Sequence, residues 1–487
     1  MGLLDGPPGS KSTAKRLLRL GEYRDNLSGG RFVRRDLLRT HTASNTTYSC
    51  ARLASYGSLY FLIGSGSGTE ILIHEPSSSS KGSTIRRWVT QVDSLVWPGH
   101  IAIDVRQDLL CLVEVAGPTA ARVHCWSLKR FMLLKQPSTP PPGVAAPTID
   151  LSKAFGGDYR HLGGVRIYGQ YMTVTLTGAA LGTYILQMWD IGGGGLVWQK
   201  QFTGKPLYTL VHERFMVVLA YKGLEQVLII HDLVSPRISD RAVHVPTCTL
   251  GLPRAEVGET RVLSILSNTP SIPPKTRDAP PFSLDPDCTA VVVSISVGPD
   301  VNHDFAALAL VIPYRTLCAQ ADGRASHVAD QDAVRWDDWG VRGSLLLTMP
   351  SSAWLPMFQW DVLANPIEPF GSRHPVLVFN ERRVVDEKVL PQWIGHVLIF
   401  DVHPAAGGRA GPSPEAQSVG GEDGGSWAAF VDQMTVPPSN TRSPRTTLAY
   451  DVYRSPPFYL PHGTAPRQLF ATQDGCALIA SLRTLWF

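Results

Sequence analysis

The densest local group of chemically capable residues is RWDDWG (335–340), two tryptophans flanking two aspartates. Trp336 and Trp339 could anchor a partner while Asp337 and Asp338 supply charge, because aromatic anchors carry much of the energy of protein interfaces. The same spacing fits a loop whose indoles pack beneath a sheet while the acids face water. These four residues are the candidate partner-binding set.

The other chemical motifs fall short of their templates. GPPGSKST (6–13) is one residue short of a P-loop and has Ser10 where a glycine must precede the lysine. GSGSG (64–68) and GGGG (192–195) lie between β segments rather than before a helix, so they read as hairpin loops. No G-x-S-x-G nucleophile elbow occurs. His74-Glu75 and His212-Glu213 lack the second histidine of H-E-x-x-H. His74, His124, His212 and His231 fall at strand ends and turns, where structural hydrogen bonds are expected. Asp190, Asp232 and Asp401 close strands beside aromatic or histidine residues, and are expected to bond turn amides. The expectation is no catalytic residue, no cofactor and no metal.

The elements that position these residues announce themselves by repetition. A strand ending on an aromatic or histidine, then a small polar or acidic residue, recurs as ILIHEP (71–76), RVHCWSL (122–128), LQMWDI (186–191), LIIHDL (228–233) and LIFDV (398–402). Strand pairs joined by tight polar turns surround these phrases. HIAID (100–104) precedes LLCLVEV (109–115), VRIY (165–168) precedes YMTVTL (171–176), and LYTLV (207–211) precedes FMVVLAY (215–221). QLFAT (468–472) and CALIASL (476–482) make another such pair. Hairpins recurring over hundreds of residues indicate an all-β, WD-repeat-like β-propeller. Seven blades fill the span best and six also fit. The final strand is expected to pair with an early one and close the ring, since an open edge invites association.

Residues 1–45 form a basic N-terminal segment with one short helix, and 46–487 the propeller. Ser12 caps the helix, Gly29-Gly30 end it, and its outer side is expected to be basic. Pro- and Gly-rich insertions are expected at about 134–150, 252–286, 318–333 and 404–427. Glycine and proline make up about 17% of the 487 residues, which suits a turn-dense β protein. Residues 11–39 carry nine basic and three acidic side chains, whereas the whole chain is only +4. A solvated helix face explains that tail better than nucleic-acid contact, because the larger domain offers no positive field.

The seven cysteines are scattered, odd in number and without a C-x-x-C pair, so buried thiols in an intracellular protein are expected, cytoplasmic or nuclear. No apolar run approaches the roughly 18 residues of a bilayer span, and no membrane partner is expected.

Several phrases together resemble the F-box proteins expanded in mushroom-forming fungi (basidiomycetes). They are GLLDGPPGSKSTAKRLLRL (2–20), HIAIDVRQDLLCLVEV (100–115), GQYMTVTL (169–176), RWDDWGVRGS (335–344) and YLPHGTAPRQLF (459–470). The resemblance implies a propeller-like β region that selects a protein for a cullin ubiquitin ligase. In that family GLLDGPP follows the F-box, whereas here it opens the sequence, so the expectation is either a truncated gene model or a paralogue without the F-box. A Skp-type adaptor is therefore not expected as a partner, and no docking residue carries over. The reading is a non-enzymatic protein-interaction scaffold with an unknown protein partner. The alternative is a propeller hydrolase or lyase with acids and histidines of several blades converging on a central channel.

Overall fold

The computed structural model describes residues 3–5, 12–28, the strands between 54 and 150, most of 159–349, 373–381, 393–402 and parts of 434–482. It opens with β1 (Leu3–Asp5) and helix α1 (Thr13–Ser28). Six antiparallel sheets follow in chain order. Sheet I holds β2 (Ala54–Tyr56), β3 (Leu59–Ser65), β4 (Thr69–Glu75) and β5 (Arg86–Val92). Sheet II holds β6 (Ile101–Asp104), β7 (Leu109–Val115), β8 (Ala120–Ser127) and β9 (Thr148–Asp150). Sheet III holds β10 (Tyr159–Tyr168), β11 (Tyr171–Gly178), β12 (Thr183–Asp190) and β13 (Leu196–Thr203). Sheet IV holds β14 (Tyr208–Val211), β15 (Phe215–Lys222), β16 (Glu225–Asp232) and β17 (Cys248–Gly251). In sheet V, β18 (Glu259–Leu266) is followed by the short β19 (Phe282–Leu284), which leaves the sheet to pair with β1. Its remaining strands are β20 (Ala290–Gly298), β21 (Ala306–Pro313) and β22 (Leu345–Met349), with helices α2 (Tyr314–Arg324) and α3 (Trp336–Gly343) inserted between the last two. In sheet VI, β24 (Trp393–Asp401) pairs with β23 (Arg373–Glu381) and with both β25 (Asp451–Arg454) and β26 (Phe458–Leu460). A hairpin of β27 (Thr464–Thr472) and β28 (Gly475–Leu482) ends the described chain.

Sequential four-stranded meanders are the blades of a β-propeller, and the chain is an all-β protein of that class. The described residues give six four-stranded sheets, the β27–β28 hairpin and the two-stranded pairing of β1 with β19. The recurring phrase occupies the third strand of sheets I to IV, and β24 of sheet VI. Two compact units result: Arg35–Pro206 holds sheets I to III, while Met1–Arg34 with Leu207–Phe487 holds the rest.

Apolar runs explain the packing within each unit. Middle strands such as β11 are buried along nearly their whole length, so they sit between neighbouring sheets. In the Arg35–Pro206 unit, Cys111, Val113, Val165, Val174 and Leu176 form a core shared by sheets II and III. In the other unit, Phe215, Leu228, Val291, Leu310, Trp336 and Trp339 join sheets IV and V with both inserted helices. Phe400, Leu347, Val292 and Met434 form a second core there. The outermost strand β13 instead alternates, exposing Gln199 and Gln201, which blunts an edge.

Some expectations are corrected and others fall outside the described residues. β28 pairs with β27, and residues 483–487 of the expected closing strand lie outside the described residues. The segment 252–286 contains β18 and β19, and 134–150 ends in β9, because short apolar stretches lie within proline-rich surroundings, while 318–333 begins inside the amphipathic α2. Residues 404–427 lie outside the described residues. Helix α1 does start at a Ser12 cap, whose Oγ accepts from the Lys15 N–H at 3.5 Å. Its outer side is not simply basic: Arg16 and Arg19 are half-buried, whereas Leu17 and Leu18 are exposed.

Candidate functional site: a pinned acidic helix

RWDDWG folds as the start of α3 rather than as a loop. Asp337 and Asp338 lie in its first turn and Arg342 in its last, the charge order that favours the helix dipole. At the other end Ser344 bonds the Gly340 carbonyl twice, through its N–H at 3.0 Å and its hydroxyl at 2.7 Å. Those bonds satisfy a carbonyl the helix would otherwise orphan.

The underside of α3 is locked. Trp336 and Trp339 are buried, their rings meeting edge to face at 5.2 Å between centroids. The Trp339 indole donates to the Gly251 carbonyl at 3.0 Å, which reaches the last strand of sheet IV. Just before the helix, Val334 makes a parallel bridge to Leu250. Its N–H donates to the Thr249 carbonyl at 2.9 Å, and its carbonyl accepts from the Gly251 N–H at 2.8 Å. At the far end, the Thr316 hydroxyl of α2 donates to the Gly343 carbonyl at 2.6 Å. Gly340 permits this packing: a Cβ there would lie 2.1 Å from Trp336 ring atoms.

The structure therefore gives Trp336 and Trp339 to the core, and Asp337 and Asp338 to solvent. The indoles are not surface anchors; they hold the carboxylates in place. Arg335 and Arg342 are exposed on the same short helix and its N-cap.

Beside it lies an ion cluster that reading the sequence missed. Arg214, in the turn between β14 and β15, donates to the Asp232 carboxylate through Nε at 3.2 Å and a terminal nitrogen at 3.1 Å. It also bonds Asp322 of α2 at 2.9 Å. Burial alone would lower the Arg214 pKa, but the two carboxylates outweigh that and raise it. Tyr314 is pushed up to about 12, first by burial and then by its hydrogen bond with Cys318. Burial likewise raises the Cys318 thiol. Phenol and thiol are thus neutral at neutral pH, and the cluster ties α2 to sheet IV without supplying an activated nucleophile. A helical signal was present in YRTLCAQADGR: Tyr314, Leu317, Cys318 and Ala321 recur at the helical period.

The strand-closing aspartates behave as turn residues. Asp190 accepts from the Gly192 N–H at 3.0 Å, and Asp232 accepts from the Val234 N–H at 3.0 Å. Asp401 is buried at the end of β24. His212 takes a left-handed φ of 53°, stacks on Tyr314 at 4.9 Å and lies 3.6 Å from the Asp287 carboxylate. His231 is buried, and the side chains of His74 and His124 lie outside the described residues. Cys111, Cys248 and Cys288 are buried and Cys318 is half-buried. A further buried histidine, His374 on β23, has its pKa held down at about 3 by burial.

No protein-family model and no curated protein matches the chain. Among solved structures it is similar to TolB from Acinetobacter baumannii, at 10% identity and a TM-score of 0.28, over 53% of this chain and 49% of that one. It is similar to a prolyl endopeptidase at 12% identity and a TM-score of 0.32, over 71% and 45% of the two chains. The Dos1 propeller matches at 11% identity and a TM-score of 0.23, over 53% and 55%. The matches thus span about half the length of those proteins. At these scores the likenesses carry no argument about function; the order of strands in the sheets defines the class. No helix among the described residues is long and apolar enough to cross a membrane.

Proposed function

We propose that this chain is a non-enzymatic protein-interaction scaffold, akin to the substrate-recognition part of an F-box ubiquitin-ligase receptor. Its recognition element is α3. The observation that carries this reading is the division of labour within RWDDWG: two indoles in the core, two adjacent carboxylates in water. A rigidly presented charge pair loses little side-chain and backbone freedom on binding, which favours affinity. The partner is a protein offering a basic segment, since paired acids recognise cations and repel anionic surfaces.

The test is a comparison of affinity captures by the wild-type chain and by Asp337→Lys/Asp338→Lys, with thermal unfolding matched. The reading expects a discrete set of proteins captured by the wild type alone. Identical captures by both chains would remove α3 from recognition.

A further inference from the structure

We propose that α1 adsorbs to an anionic phospholipid surface, with Leu17 and Leu18 entering the headgroup boundary. The exposed side of the helix carries leucines as well as charge. Arg16, Arg19 and Leu20 are half-buried, and α1 lies beside β25 of its own unit. Ala14, Leu17, Leu18 and Gly21 follow the i, i+3, i+4, i+7 spacing of one helical stripe. Leu17 is 62% exposed and Leu18 64%, and nothing lies within 4 Å of where a Gly21 Cβ would be. A single exposed leucine is ordinary. Two side by side on a stripe, with Arg19 held to Glu22 at 3.2 Å alongside, are an uncovered apolar face.

Charge and size decide what covers that face. Residues 11–39 carry a net charge of +6, and Lys15 is exposed beside the stripe. A cationic segment contributes about 1 kcal/mol per basic residue at an anionic bilayer, so it supplies several kcal/mol before any insertion. A stable protein interface needs about 1,000 Å² in total, far more than a two-turn stripe provides. A bilayer needs no such area: charge supplies the attraction, and a small apolar face sets the orientation. Adsorption of this kind requires no spanning segment, so it is compatible with the absence of long apolar runs in the sequence.

The experiment is co-sedimentation of the full chain with vesicles of phosphatidylcholine alone, or of phosphatidylcholine with phosphatidylserine, across a salt series. Leu17→Ala/Leu18→Ala is run in parallel, together with a short DNA duplex as a polyanion without a bilayer. The wild type should sediment with the serine-containing vesicles only and be released by salt. The leucine variant should bind them about tenfold more weakly, a loss of about 1.4 kcal/mol. Unchanged thermal unfolding should show that the exposed leucines are dispensable for folding. Failure to bind anionic vesicles at low salt would overturn the proposal. So would equal binding by both chains, or tighter binding to DNA than to the vesicles.

Discussion

The indole N–H of Trp339 meets the carbonyl oxygen of Gly251 at 3.0 Å, across 88 residues of sequence. One bond thus joins the helical insert of sheet V to the last strand of sheet IV. Trp339→Phe keeps most of the packing but leaves that carbonyl unpaired, so it should cost about 1–3 kcal/mol. Trp339→Ala adds a cavity and should cost about 3–5 kcal/mol. Urea unfolding measures both losses; a Trp339→Phe chain as stable as the wild type would mean that the bond contributes nothing beyond the packing.

Gly340 is required by its neighbour. A methyl group there would enter the Trp336 ring, 2.1 Å from two of its carbons. Gly340→Ala should therefore destabilise by about 1–3 kcal/mol or more through overpacking. Adding Trp336→Leu should relieve part of that loss, giving a favourable coupling in a double-mutant cycle. Strict additivity of the two changes would contradict the close packing.

The two carboxylates on Arg214 should differ in weight. The Asp322 side chain is 62% exposed and Asp232 only 10%. Solvent screening leaves the outer pair worth about 0–1 kcal/mol, so Asp322→Ala should be nearly silent. Asp232→Ala also loses the turn bond to Val234, and should cost about 1–3 kcal/mol. Chemical denaturation curves at moderate salt separate the two; a reversed order would refute the assignment of Asp232 as the inner partner.

His374 should make stability acid-sensitive. Its ring is buried, neither nitrogen has a hydrogen-bond partner among the described residues, and its pKa is held at about 3. Below the ordinary histidine value near 6.5, the unfolded chain takes up a proton that the folded chain refuses. Stability is therefore full above about pH 6.5 and falls steadily as pH drops toward 3. The total loss is on the order of a few kcal/mol, and His374→Leu should flatten that limb of the profile. A variant with the wild-type slope between pH 6.5 and 4 would show that this histidine is not responsible.

The strands were legible because their alternation and turn residues are local. The phrases ending in Trp189-Asp190 and His231-Asp232 mark third strands, and both aspartates close the next turn through the same bond. Ser12 was legible for the same reason, since a cap acts within one turn. Helix α3 was harder to read. Its eight residues carry two acids in the first turn and hold two glycines, and tertiary packing of the indoles supplies what propensity lacks. Arg214 and Asp322 are 108 residues apart, and β1 finds β19 across more than half of the chain. No local pattern encodes such pairs. The exposure of Leu17 and Leu18 was hidden as well, because periodicity gives a helix two faces without saying which one points outward.

The central claim is that α3 recognises a cationic partner through Asp337 and Asp338. Its most direct test is a titration of the partner captured by the wild-type chain against wild type, Asp337→Asn/Asp338→Asn and Asp337→Lys/Asp338→Lys, at two salt concentrations. The account predicts affinity falling in that order, at least tenfold by the last, with the salt dependence shrinking as the charges go and the unfolding midpoint constant. Equal affinity for all three chains would contradict it.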